Sequence, residues 1–338
     1  MEGYISIFAA AAAFIITAVM GKALIPFLHK LKFGQPINDI GPTWHKSKQG
    51  TPTMGGLLFI IGITVSVIAG YLVLVISDNS DLVDVTISVQ NRRMFAGLVM
   101  SLAYAFIGFM DDYIKVVKKR NLGLTAKQKI ALQFLVAVAY LATLKLIGGL
   151  STVLVVPPFG QLDIGIFYYP LAMIIIIGFV NAVNLTDGID GLAASTTFVY
   201  ALAMMIVSAM LSYGRNELLA AAAAGGCLGF LVWNFHPAKV FMGDTGSMFL
   251  GGLVVALAFG VNMPAVVLLA GVLYLIEAFS VIIQVCYYKL TGKRLFKMSP
   301  IHHHFEMSGY SEVKIVGLFS LVALIGGALT ALFVYLMK

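Results

Sequence analysis

The chain has 338 residues, of which 60% are hydrophobic and only 11% are charged. Soluble domains carry about 25% charged residues, so this composition excludes an ordinary soluble domain and places most of the chain in lipid. The net charge is +7, but the basic residues are concentrated in short loops between apolar segments. That distribution is typical of membrane orientation, and we expect no nucleic-acid partner.

Ten segments are apolar and long enough to cross a bilayer, which takes about 20 residues. They are predicted at residues 4–28, 52–76, 93–112, 129–147, 168–185, 192–212, 217–233, 246–262, 265–288 and 314–336. The 34 glycines fit this interpretation, because small residues let membrane helices approach closely. We expect an all-α polytopic membrane protein in which residues 1–338 form one domain.

The distribution of lysine and arginine predicts the orientation. Loops after the odd-numbered segments are rich in these residues, whereas the other side holds few of them, and the basic side is normally cytoplasmic. The predicted cytoplasmic loops are about 29–51, 113–128, 186–191, 234–245 and 289–313, which leaves both termini outside. On the external side, residues 151–167 predict a short β-hairpin, to which we assign no function.

Two adjacent aspartates, Asp111 and Asp112, end the third predicted span. Ionised carboxylates are costly in the membrane, repel each other and are disfavoured at a helix C-terminus. A bound cation would offset all three penalties. A salt bridge to Lys115, one turn further on, would also do so without any function, so this pair alone leaves both interpretations open.

The fifth span runs into a second polar set, formed by Asn181, Asn184, Asp187, Gly188 and Asp190. If the helix extends to Asp187, the first three recur at every third position and project from neighbouring faces. Their oxygen atoms suit Mg²⁺, and the spacing lacks the glutamate of a calcium EF-hand. Helix capping accounts for one aspartate but hardly for the whole set, so we predict a functional site.

Two further loops carry polar residues that are ambiguous on their own. Asp244 and Thr245 could simply cap the eighth helix, but beside the other aspartates Asp244 becomes a candidate carboxylate of the same site. Phe241 could stack on a base or anchor the membrane interface. In the first loop, Lys48 and Thr53 flank a glycine-rich turn that could hold phosphate near a helix N-terminus.

The last predicted loop contains three successive histidines, His302, His303 and His304. Adjacent residues rarely point at one metal ion, and the HExxH spacing of zinc enzymes is absent. We therefore expect these histidines to donate hydrogen bonds to phosphate rather than to hold zinc.

Taken together, these motifs resemble those of the polyprenyl-phosphate N-acetylhexosamine-1-phosphate transferases over essentially the whole chain. The Asp111–Asp112 pair and the runs 184–191 and 242–247 resemble the wider superfamily, and the run 300–306 resembles its phospho-N-acetylmuramoyl-pentapeptide transferase branch. The resemblance implies transfer of phospho-N-acetylmuramoyl-pentapeptide from its UDP carrier to undecaprenyl phosphate, giving lipid I and UMP. It also implies Mg²⁺, a homodimer, and a bacterial inner membrane with the site facing the cytoplasm.

By matching positions, the resemblance also implies roles for individual residues. Asp187 would be the Mg²⁺ ligand, and Asp111, Asp112 and Asp244 the catalytic carboxylates. Residues expected to contact substrate are Lys48, Thr53, Asn184, Leu185, Gly188, Asp190, Asn234, Phe241, His302, His303 and His304. Phosphoryl transfer brings negative charges together, so we add Lys115 and Lys127 as neutralising residues. Asn181 is included because it shares a ridge with Asn184 and Asp187.

Two alternatives remain open. A sister enzyme using UDP-N-acetylglucosamine would share the aspartates, but the triple histidine argues against it. A cation or solute transporter would place its charges near the bilayer midplane on broken helices, whereas these charges lie at predicted helix ends.

Overall fold

The computed structural model describes residues 2–31, 48, 50–77, 85–118 and 122–337, so most of the predicted first loop lies outside the described residues. The helices are α1 (Glu2–Lys30), α2 (Leu57–Ser77), α3 (Val85–Val117), α4 (Ala126–Leu146), α5 (Tyr168–Thr186), α6 (Leu192–Met210), α7 (Gly214–Asn234), α8 (Gly243–Gly260), α9 (Val266–Ala270), α10 (Val272–Thr291), α11 (Ile301–Glu306) and α12 (Glu312–Leu336). Within these residues, ten helices are long and apolar enough to span a membrane: α1 to α8, α10 and α12. The predicted all-α polytopic fold is confirmed.

The predicted hairpin is confirmed as well. Strand β1 (Val153–Val156) pairs antiparallel with β2 (Gly160–Asp163). A 3₁₀ turn at Gly165–Phe167 then leads into α5.

The ninth predicted span, 265–288, begins too early. The structure breaks this segment at Gly271, so the short helix α9 precedes the spanning helix α10. Gly271 packs closely against α5, because a Cβ at this position would lie 2.7 Å from Phe179 Cε1. Hydropathy is continuous across the break and therefore could not reveal it.

The third predicted span, 93–112, is too short, because α3 starts at Val85. The polar residues of its first turns have partners that keep them helical beyond the apolar core. Arg93 donates to the carbonyl oxygens of Gly148 and Gly149 at 2.6 and 2.8 Å, and Gln90 donates to the Ser212 carbonyl at 3.1 Å.

Helix α8 is the most deeply buried of the spans that the structure describes. Gly251 and Gly252 bring its backbone against Val180 of α5 and Ser101 of α3, as expected for small residues at membrane helix contacts. A second, smaller apolar cluster joins the α5–α6 turn to α10 and α12 and contains Ile189, Leu192, Leu273, Ile315, Val316 and Phe319. These contacts bring the ends of α3, α5 and α7 and the starts of α2, α4, α6, α8 and α12 together at what we call the polar end.

Candidate active site

Three aspartates meet at the polar end, where α3 ends and α8 begins. One carboxylate oxygen from each of Asp111, Asp112 and Asp244 lies within 4.8 Å of the other two. Asp111 and Asp112 are 1% and 0% exposed. Buried carboxylates this close together repel each other, so the surrounding groups must supply positive charge or hydrogen-bond donors.

Asp112 meets this requirement by capping α8 from outside the helix. It accepts hydrogen bonds from the Thr245 N–H at 2.9 Å, the Thr245 hydroxyl at 2.7 Å and the Asp244 N–H at 3.2 Å. The positive end of the α8 dipole also favours a carboxylate here. Gly243 lies against this contact at a φ of +71°, and a Cβ there would lie 2.5 Å from Asp112 Oδ2 and 2.7 Å from the Thr53 hydroxyl.

Two lysines bridge Asp111 and Asp244. Lys115 Nζ lies 2.6 Å from Asp111 Oδ2 and 3.2 Å from Asp244 Oδ2, and Lys129 Nζ lies 3.1 and 2.6 Å from the same two atoms. Asp111 also accepts the Leu124 N–H at 2.7 Å. The cluster therefore holds two ammonium groups beside the carboxylates.

Of the two lysines predicted to neutralise charge, Lys115 reaches the aspartates. Lys127 does not, and its exposed side chain has no ion pair with the described residues. The reason is the phase of α4. Thr125 and Gln128 form a reciprocal capping box that starts the helix at Ala126, and residues two apart point about 200° away from each other. Lys129 thus faces the aspartates and Lys127 does not.

The predicted ridge of three polar residues divides in the structure. Asn184 donates to Asp244 Oδ1 at 3.1 Å and to the Ser247 hydroxyl at 2.7 Å, so it belongs to the aspartate cluster. Asn181 instead forms a reciprocal amide pair with Gln133 of α4, at 2.7 and 3.2 Å. The structure does not bring Asn181 to the carboxylates.

Asp187 ends α5 and differs from its neighbours. Its carboxylate makes no hydrogen bond or ion pair with the residues that the structure describes. Burial, and then the charges of Asp244, Asp112 and Asp190, raise the pKa of Asp187 to about 8. An oxygen ligand without a partner beside other carboxylates fits a hard divalent cation, which would favour its ionised form.

A second charged cluster surrounds Asp190, and we call it the Lys48 cluster. Lys48 Nζ lies 2.7 Å from both Asp190 Oδ1 and a Glu312 oxygen. The other Asp190 oxygen lies 3.0 Å from His236 Nδ1 and accepts the Ala238 N–H at 3.0 Å. Sequence reasoning identified Lys48 and Asp190 but missed His236 and Glu312, since no spacing along the chain links these residues.

The remaining predicted contact residues differ in accessibility. Asn234 is buried, accepts the Gly191 N–H at 3.1 Å and donates to the Val240 carbonyl at 2.9 Å, so it holds two loops together. Thr53 is also buried. Phe241 is half-buried and Leu185 is 36% exposed, which leaves both with surface for a ligand.

The three histidines lie on α11 and have three different partners. His302 Nδ1 lies 3.0 Å from Glu277 Oε2, and His303 Nδ1 lies 2.6 Å from Glu306 Oε2. His304 Nδ1 accepts the Lys297 N–H at 3.1 Å. The half-buried His303 and His304 lie toward the loop surface, whereas His302 is completely buried.

Comparison with known proteins first defines the class. The sequence profile of glycosyl transferase family 4 matches residues 94–262, a range that includes the aspartate cluster, Asp187 and Asn234. The class is therefore that of membrane-embedded enzymes of this transferase family.

More similar proteins narrow the family. The first signature of phospho-N-acetylmuramoyl-pentapeptide-transferase matches residues 48–60. The enzyme of that name from Halalkalibacterium halodurans is 44% identical over 93% of this chain and 92% of its own length. The corresponding enzyme from Heliobacterium modesticaldum is 45% identical over 95% of this chain and 96% of its own. The chain belongs to the phospho-N-acetylmuramoyl-pentapeptide-transferase family.

Proposed function

We propose that the protein transfers phospho-N-acetylmuramoyl-pentapeptide from its UDP carrier to undecaprenyl phosphate, which gives lipid I and UMP. The observation that carries the proposal is the polar end itself. Four aspartates and two lysines lie at helix ends there, in a chain whose relatives over nearly their whole length are named for this transfer. These aspartates and lysines lie near helix ends rather than in mid-membrane, which also disfavours the transporter alternative.

The reaction places heavy demands on charge neutralisation. An oxygen of the lipid phosphate attacks the phosphorus that carries the sugar, and the bond from that phosphorus to the UMP oxygen breaks. Nucleophile and diphosphate are both anionic, so catalysis consists largely of positioning and electrostatic stabilisation. Lys115 and Lys129 supply two ammonium groups that could pair with substrate phosphates once they exchange their aspartate partners.

The proposed cofactor is Mg²⁺, with Asp187 as its principal protein ligand. The unpartnered carboxylate of Asp187 and its raised pKa support this assignment. When bound, Mg²⁺ neutralises and orients phosphate oxygens. Asn184 and Asp112 lie nearby, but in this structure their polar groups already hold the start of α8 in place.

The proposed base is Asp111, which assists deprotonation of the lipid phosphate for a direct displacement. Its Oδ2 atom lies beside Lys115 and Lys129, so these lysines must release it when substrate enters. Attack by Asp111 or Asp112 on the donor would instead form an aspartyl-phosphate intermediate. Trapping a phosphorylated enzyme that passes its group to the lipid would rule out direct displacement.

The accessible residues of the polar end suit the nucleoside. We assign Leu185, Gly188 and Phe241 to uridine contact, and His303 and His304 to hydrogen bonds with phosphate or sugar. Asp190 and Lys48 would reach substrate only if the Lys48 cluster opens, while Thr53 and Asn234 support the loops from within.

The proposed setting is the bacterial inner membrane, with the polar end facing the cytoplasm. The lysine-rich loops support that orientation, which leaves both termini outside. We also propose that residues 1–338 form one membrane domain. The homodimer is proposed on the sequence resemblance alone, and the mass of the detergent-purified protein by light scattering tests it.

The identity of the nucleotide product tests the proposed chemistry. Attack at phosphorus releases UMP and leaves a diphosphate on the lipid, whereas ordinary glycosyl transfer from the sugar carbon would release UDP. Chromatography and mass spectrometry of a Mg²⁺-containing reaction should show equal amounts of UMP and lipid diphosphate. UDP with a lipid monophosphate sugar would overturn the proposed bond cleavage.

A further inference from the structure

A buried hydrogen-bonded pair that the proposed chemistry does not use lies beside the turn that carries Asp187. It consists of Glu277, in the spanning helix α10, and His302 on α11. Both side chains are 0% exposed, and His302 Nδ1 lies 3.0 Å from Glu277 Oε2. Burying a carboxylate beside an imidazole is costly, and apolar residues of similar volume are often at least as stabilising. The pair therefore calls for an explanation other than stability.

The geometry of the pair fixes the imidazole of His302. A carboxylate at Nδ1 favours the proton on that nitrogen and holds the ring in one orientation. The other nitrogen, Nε2, is buried and has no hydrogen-bond partner in the part of the chain that the structure describes.

The Nε2 face of His302 supports the turn that carries Asp187. Gly188 packs directly on this nitrogen, and a Cβ on Gly188 would collide with it. Further along the same turn, Ile189 is fixed by the small apolar cluster with α10 and α12, and the Asp190 N–H is bonded to Glu312 at 2.9 Å. The His302 ring therefore lies against the residue that follows Asp187 in the chain.

We propose that Glu277 is a positioning residue for divalent-cation binding. It holds His302 in one tautomer and orientation. The ring then fixes the position of the Gly188 backbone, which packs on it, and with it the position of the Asp187 carboxylate. This inference rests on the proposed function, in which Asp187 is the metal ligand.

The variants Glu277→Met and Glu277→Gln separate positioning from charge. Methionine keeps the side-chain length but removes both oxygens, whereas glutamine keeps an oxygen that can accept from Nδ1–H. Ser280→Ala is the matched control, because Ser280 is buried on the same helix and, among the described residues, its hydroxyl donates to the Glu277 backbone oxygen alone. Asp187→Asn reports separately on the proposed ligand.

Binding of Mn²⁺ to the full-length protein in detergent is the first measurement, with free Mn²⁺ followed by electron paramagnetic resonance. We expect Glu277→Met to weaken binding at least about tenfold, and Glu277→Gln and Ser280→Ala to remain within about threefold of the unmodified protein. Unchanged binding in Glu277→Met overturns the inference. An equal loss in Glu277→Gln overturns it too, because charge rather than ring orientation would then matter.

The tautomer of His302 is the second measurement and does not depend on the metal. Solid-state NMR of protein with ¹⁵N-labelled histidine, assigned by difference from His302→Asn, should show the Nδ1–H form. Glu277→Met should lose it, and an unchanged spectrum contradicts the inference. Mn²⁺ binding that survives Asp187→Asn refutes the ligand assignment, while the tautomer result still decides whether Glu277 orients the ring.

Discussion

Replacing Asp187 with asparagine should raise stability and strongly lower activity. Without a cation, burial and then the nearby carboxylates raise the pKa of Asp187 from 3.8 to about 8. Between these values the folded protein holds a proton that the unfolded chain has released, so its stability falls as pH rises from about 4 to about 8. Each pKa unit corresponds to about 1.4 kcal/mol, so asparagine removes a penalty of several kcal/mol that is fully present only above pH 8.

The same substitution removes the charge that binds the cation. Two unit charges about 4 Å apart interact by about 4 kcal/mol at an effective dielectric constant near 20. Since about 1.4 kcal/mol is a factor of ten in rate, we expect turnover of Asp187→Asn to fall about 10³-fold at ordinary Mg²⁺ concentrations. Packing is unchanged, so the helical content should be unaltered.

Thermal unfolding in detergent at pH 6 and pH 9, with EDTA or Mg²⁺, tests both effects together with turnover. In EDTA the variant should be more stable than the unmodified protein at pH 9, with a smaller difference at pH 6, and Mg²⁺ should stabilise the variant much less. Asp163→Asn is the control, because Asp163 is an exposed residue of the hairpin. Lower stability of Asp187→Asn in EDTA at pH 9, or turnover within tenfold of the unmodified protein, would refute the reasoning.

Three further substitutions follow from the same contacts. Lys129→Gln should lower kcat about 100-fold by breaking two ion pairs at the aspartates, and Lys127→Gln less than about threefold; equal effects in a turnover assay would contradict the assignment. Gly243→Ala should lower the unfolding temperature by several degrees, because φ +71° costs about 1–2 kcal/mol for other residues and the Cβ would crowd Asp112. Asn181→Leu should lower the free energy of unfolding by about 1–3 kcal/mol, because it leaves Gln133 unpaired. Adding Gln133→Leu should restore most of that stability with kcat retained. A lost kcat would return Asn181 to the substrate contacts.

The sequence was most informative where one property along the chain decides the structure. Apolar length alone defines a spanning helix, so all ten spans could be predicted. The boundaries of the spanning helices could not be predicted, because side-chain partners decide where each helix begins and ends. Arg93 lies in a helix that extends past the apolar core, and the close approach of Gly271 to Phe179 breaks a continuous apolar segment.

The candidate site was predictable in its residue types but not in its pairings. Clustered aspartates at one side of the membrane already indicated that Asp111 and Asp244 would meet. The choice of Lys129 over Lys127 depends on the phase of α4, which the cap at Thr125 sets. Glu312 joined the Lys48 cluster from the far end of the chain, and no local pattern encodes such a contact.

Turnover with two alternative donors tests the central claim most directly. Detergent-purified protein is given undecaprenyl phosphate, Mg²⁺ and either UDP-N-acetylmuramoyl-pentapeptide or UDP-N-acetylglucosamine, and UMP and lipid product are followed. We predict Mg²⁺-dependent product from the muramoyl-pentapeptide donor alone. Product only from UDP-N-acetylglucosamine, or none from either donor in folded protein, would contradict the account.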